Sequence, residues 1–165
     1  MARIRNAPQR ISPGDETLPQ TCTPTSLERY HAVPQGWQAE EIVAFHRQMR
    51  GTYPIAEIEI GTWHAPAWMT ERHAWLKYCA VLRKVADGVR AGDSACTEIA
   101  VNYILLHHIG SYSGYLRSRL ARALRHADIP PRKKVELVSH FDHLAAAHAY
   151  TFEWREYRKL RQKLG

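Results

Sequence analysis

From Ile99 to Leu106 the chain reads IAVNYILL, with no charged residue. A helix through this segment is apolar on nearly every side. It has no face to offer water, so other helices must surround it. The run is far shorter than the roughly 20 residues a membrane span requires, and no other apolar stretch is longer. The segment therefore predicts the central helix of a bundle, capped at its start by Asp93 or Ser94 and stopped by Gly110.

The surrounding helices are legible from their periodicity. In MTERHAWLKYCAVLRKVADGVRAGD, Trp75, Tyr78, Leu82, Val85 and Val89 recur at gaps of three and four, which gives one apolar stripe. Thr70 suits the cap and Gly92 the stop. AEEIVAFHRQMRG has acids first, an arginine last, and Ile42, Phe45 and Met49 at helical spacing, a short amphipathic helix ended by Gly51. A further helix is expected from about Ser113 to His126. The pair Pro130–Pro131 interrupts the chain, and a last long helix runs from Pro131 toward Lys163. Ala56, Ile58 and Ile60 alternate with Glu57 and Glu59, the pattern of one short half-buried strand.

Five of the nine prolines lie in residues 1–36, with no period of 2 or 3.6. That stretch reads as an extended N-terminal arm, and residues 37–165 as one helical domain. The fold class expected is mainly α: a single-domain bundle of about five helices, an irregular Pro-rich arm, and at most one short strand or hairpin. MARIRNAPQR lacks an apolar stretch behind its arginines, which argues against a secretory signal. Cys22, Cys79 and Cys96 are odd in number and widely spaced, as for reduced thiols in a cytoplasmic protein.

The net charge is +7, and its placement is uneven. Residues 1–112 hold 11 Lys/Arg and 11 Asp/Glu, whereas residues 113–165 hold 12 and 5. The excess lies wholly in the basic last third, which points to an anionic partner, most commonly nucleic acid. In SGYLRSRLARALRHA, helical stepping places Leu116, Leu120, Ala123, Leu124 and Ala127 on a core arc. Tyr115, Arg117, Arg119, Arg122 and Arg125 fall on the opposite arc, expected to face solvent, with no acid among them. These residues, with Arg132, Lys133, Lys134, Arg158 and Arg161, are the candidates for holding phosphates. Ser111, Ser113 and Gly114 at the helix start offer free N–H groups to an anion, or simply cap the helix.

The closing stretch YTFEWREYRKLRQKLG sets four aromatics beside a run of basic residues. If the last helix is continuous, Leu137, Val138, Phe141, Leu144, Ala145, His148 and Phe152 form its core stripe. Tyr150, Trp154 and Tyr157 then form a second stripe, which packs internally, serves as a protein interface, or stacks on bases.

Ten histidines leave a metal reading open. His140 and His143 share a helix face and need a distant third group such as His107. No H-E-x-x-H, C-x-x-C, G-x-S-x-G or phosphate-binding glycine loop is present, so neither catalysis nor a cofactor is expected. The function expected is that of a non-catalytic nucleic-acid-binding accessory subunit of a nucleoprotein assembly, gripping RNA or DNA with low sequence specificity and no membrane role. The alternatives are an adaptor module that docks a protein, or a second copy of itself, through the C-terminal helix, and a histidine-dependent metal hydrolase.

Overall fold

The computed structural model describes residues 31–56 and 70–165. Six α-helices are present among them: α1 (Ala39–Gln48), α2 (Thr70–Arg90), α3 (Ser94–Leu106), α4 (Ser113–Leu124), α5 (Pro131–Ala146) and α6 (Trp154–Leu164). The chain is mainly α, as expected. Most of the N-terminal arm, and the expected strand beyond Ala56, lie outside the described residues. No helix among the described residues is long and apolar enough to cross a membrane.

The apolar helix takes the centre. α3 packs against α1, α2, α4 and α5, and buries Ala95, Cys96, Ile99, Ala100, Val101, Tyr103 and Ile104. Its start is fixed by Asp93, whose Oδ1 accepts from the Cys96 N–H at 2.8 Å. Gly92 makes the preceding turn at φ +84°, a conformation that only glycine adopts freely. On α2 the expected stripe turns inward: Tyr78, Leu82, Val85 and Val89 are all buried. On α4 the core arc holds Leu116, Leu120, Ala123 and Leu124 as expected. Removing such a side chain, as in Leu120→Ala, costs about 2–5 kcal/mol through lost burial and the cavity left behind.

α1 begins with the Gln38 N–H donating to the Glu41 carboxylate at 2.9 Å. Ala39, Ile42 and His46 turn inward, while Phe45 and Met49 stay largely exposed. The glycine that ends it has a packing reason as well as a terminating one. A Cβ on Gly51 would sit 2.0 Å from His46 Nε2.

The last helix departs from expectation. It does not run from Pro131 to Lys163 but breaks after Ala146, and α6 begins afresh at Trp154. His148 takes the left-handed conformation at φ +52°, and the Ala149 N–H returns to the Leu144 carbonyl at 2.9 Å. This closes a left-handed helix end with histidine where glycine is usual. No glycine or proline marks the break in the sequence. The turn brings α6 back against α4 and α5, where Tyr157 and Leu160 become buried.

The break resets the helical phase, and three expectations fall with it. Phe152, placed on the core stripe, is 64% exposed, and His148 is exposed too. Tyr157, placed on an outer interface stripe, is fully buried. Leu137, Phe141 and Leu144, which precede the break, are buried as their spacing predicts.

Candidate nucleic-acid interface

The four arginines of α4 do not form one free basic face. Arg117 is buried, and its Nε donates to Glu153 Oε1 at 2.5 Å. A second donor of the same guanidinium meets the His108 carbonyl. The expected solvent position of Arg117 is therefore wrong: residue 117 sits where α4 meets the turn leading into α6. Arg119 pairs with Asp87 of α2 at 3.2 Å. Arg125 pairs with Glu156 of α6 at 3.3 Å, and Arg122 approaches the same carboxylate at 3.8 Å. The acids missing from α4 itself arrive from neighbouring helices.

The α4 start is also occupied from within. Ser113 is buried; its hydroxyl donates to the Gly110 carbonyl at 2.7 Å and accepts from the Gly110 N–H at 3.0 Å. A Cβ on Gly114 would lie 3.3 Å from Glu153 Oε2. The carboxylate beside this helix start is thus the chain's own Glu153, which is favourably placed against the positive end of the helix dipole. Ser111 lies in the preceding loop and accepts the Trp75 indole N–H on its carbonyl at 3.3 Å.

Around Arg117 and Glu153 lies a buried polar centre. Tyr78 and Tyr103 share a hydroxyl hydrogen bond. The rings of His107 and His140 meet edge to face with centroids 5.5 Å apart. Burial, then the nearby His107, His143 and Arg117, holds His140 down at about 4, so its imidazole is neutral at ordinary pH. Burial likewise lowers His107 and raises the Tyr157 phenol. His107 Nδ1, His140 Nε2 and Glu153 Oε2 are buried without a hydrogen-bond partner among the described residues. Each such atom costs about 1–3 kcal/mol.

The metal expectation divides here. His107 and His140 do come together, but His143 is exposed on α5. Among the described residues, one group of three potential ligands converges within 4.8 Å: His46, Asp93 and Cys96. That group has another role. Asp93 Oδ2 accepts from the Thr52 N–H at 2.6 Å, the Tyr53 N–H at 2.7 Å and His46 Nε2 at 3.2 Å. Burial opposes the charge, but these donors and the Cys96 N–H together hold the carboxyl well below the usual carboxylate range. Burial and the adjacent Asp93 push the Cys96 thiol up, the opposite of a nucleophile's activation. The cluster pins α1, the loop at residues 51–53 and the start of α3 to one another.

The remaining basic candidates are on α5 and α6. Lys133 is bound to Glu98, Glu136 and Asn102, and Arg161 pairs with Asp142 at 3.0 Å. Arg132 pairs with Glu136 at 3.2 Å, but its side chain is 91% exposed. Surface pairs of this kind are worth about 0–1 kcal/mol and release a cation easily. Lys134, Arg155, Arg158 and Lys163 have no acidic partner among the described residues; the last three are exposed on α6. Helical stepping places Trp154, Arg155, Arg158, Lys159, Arg161, Gln162 and Lys163 on one outer arc of α6, with Tyr157 and Leu160 opposite. Trp154, Arg158, Arg161 and Gln162 border an open groove of about 250 Å³ against α5. Tyr150, 5.1 Å from Trp154 between centroids, is exposed beside it.

Sequence reasoning included Arg158 and Arg161 but missed Arg155 and Lys163, because it took the last helix as continuous. It also missed Glu153 and Glu156. The available signal was two carboxylates three apart in an otherwise basic segment. No protein-family model, curated protein or solved structure matches the chain.

Proposed function

We propose that this protein binds nucleic acid as a non-catalytic accessory subunit, holding the phosphate backbone on the outer face of α6. The observation that carries the proposal is the contrast between two basic helices. The α4 arginines are matched by Asp87, Glu153 and Glu156, whereas Arg155, Arg158 and Lys163 have no acidic partner among the described residues. Cations left unpaired on one exposed helix face repel one another, and an anionic polymer removes that repulsion. Arg132 and Lys134, at the start of α5, extend the set of available cations. Contacts of this type fix position and read no sequence.

Fluorescence anisotropy with labelled single-stranded RNA, single-stranded DNA and duplex DNA across a salt series tests the reading. With three to five cations engaged, log K should fall with log salt at a slope of roughly −3 to −4.5 on duplex DNA. No binding at low salt to any of the three defeats it. The adaptor reading keeps one observation of its own, the exposed Tyr150 against Trp154. A stable homo-oligomer in light scattering without nucleic acid would favour it.

A further inference from the structure

Four aromatic side chains from separate parts of the chain form a connected row on the surface. Trp75, near the start of α2, meets Tyr112 edge-on with centroids 6.3 Å apart. Tyr112 stacks on Tyr115 at 5.1 Å with ring planes inclined by 23°. Tyr115 meets Phe152 at 4.4 Å. Tyr112, Tyr115 and Phe152 are 41%, 56% and 64% exposed. The row is held from behind. Tyr112 occupies the left-handed region at φ 66°, a conformation that L residues adopt at a cost, and the Trp75 indole is tied to the Ser111 carbonyl. Burying Tyr112, Tyr115 and Phe152 would lower the free energy, yet the fold presents them together at the surface.

We infer that the Tyr112–Tyr115–Phe152 row is a base-stacking platform, which makes single-stranded nucleic acid the ligand. This rests on the α6 reading above. The choice of occupant comes from what adjoins the row. Phe152 lies three residues before Arg155, and Trp154 opens the helix that carries the unpaired cations. Stacking rings that lead into a basic face are what an unpaired strand can use, since its bases are free to leave one another. Duplex bases are already stacked on their neighbours, so a duplex would touch the cations alone.

The test is the single-strand to duplex affinity ratio, measured by anisotropy with a labelled 20-nucleotide oligo-dT and a duplex of the same length. The wild type, Tyr115→Ala/Phe152→Ala, Tyr115→Phe/Phe152→Tyr and Arg155→Ala/Arg158→Ala are compared. The double alanine aromatic variant should lose at least about tenfold on oligo-dT with less than twofold change on duplex, and the Phe/Tyr exchange should retain binding. The arginine variant should weaken both ligands. Equal losses on both ligands in the aromatic variant, or none on oligo-dT, overturn the platform while leaving the α6 reading standing. Failure of the wild type to bind either ligand overturns both. A dimer that the aromatic variant dissolves, with no change on oligo-dT, assigns the row to a second copy of the chain instead. Circular dichroism of the aromatic variant should match the wild type, because the two rings are mainly exposed.

Discussion

Arg117 and Glu153 form an ion pair at 2.5 Å in which the two side chains are 3% and 0% exposed, and it joins α4 to the turn that starts α6. Each charge is stable in the interior because the other is present. Removing one partner leaves the other buried and unpaired. Glu153→Ala should lower unfolding free energy by about 3–5 kcal/mol in urea denaturation. Arg117→Met combined with Glu153→Leu should recover most of that loss. If both the single and the double variant fall within about 0.5 kcal/mol of wild type, the pair does not hold the bundle end together.

Asp93 joins three elements through one carboxylate, accepting from the N–H groups of Thr52, Tyr53 and Cys96. Asp93→Ala removes a helix cap and strands buried donors, so a loss of about 2–4 kcal/mol is expected. Amide hydrogen exchange should rise first at Thr52, Tyr53 and Cys96. Unchanged protection at those three amides would contradict the assignment.

The buried imidazole of His140 gives acid sensitivity a direction. Its folded value, about 4, lies below the unfolded value of 6.5, so the unfolded chain takes up its proton first as pH falls. Stability is complete above about 6.5 and declines between about 6.5 and 4. The depressed Asp93 acts in the same direction at lower pH, since its stabilisation is lost as pH falls below the unfolded carboxylate value. A melting-temperature series from pH 8 to pH 4 should show the decline, and His140→Phe should flatten its upper part. An equal slope in the variant would assign the effect elsewhere.

Charge reversal should distinguish the two basic helices. Arg155→Glu/Arg158→Glu should lower nucleic-acid affinity and flatten the salt slope by about 2, with little change in stability. Arg119→Glu/Arg122→Glu places new carboxylates beside Asp87 and Glu156, so a stability loss of about 1 kcal/mol is expected. Thermal melts and salt-dependent anisotropy on both variants check the contrast. The reverse pattern would return the phosphate-binding role to α4.

Much of the fold could be read from local pattern. The uncharged run at Ile99–Leu106 demanded a central position and took it. The stripe from Tyr78 to Val89 and the core arc of α4 were correct, because a 3.6-residue period is a property of one helix alone. The same method failed for Phe152, Tyr157 and His148, since stepping is valid only while the helix continues, and the break between Ala146 and Trp154 has no glycine or proline to announce it.

By itself the sequence determined a helical bundle around one apolar helix, and a basic last third. Only the tertiary structure decided which charges remain unpaired. Arg117 meets Glu153 across 36 positions and Arg119 meets Asp87 across 32. Such meetings depend on how helices pack, which no short window of residues encodes. The turn at residues 147–153 carried Glu153 and Glu156 to the α4 arginines, and the free basic face passed from α4 to α6. The physical reason is that burial favours whichever chain path brings a carboxylate to a guanidinium leaving water, and that path is chosen by the whole bundle.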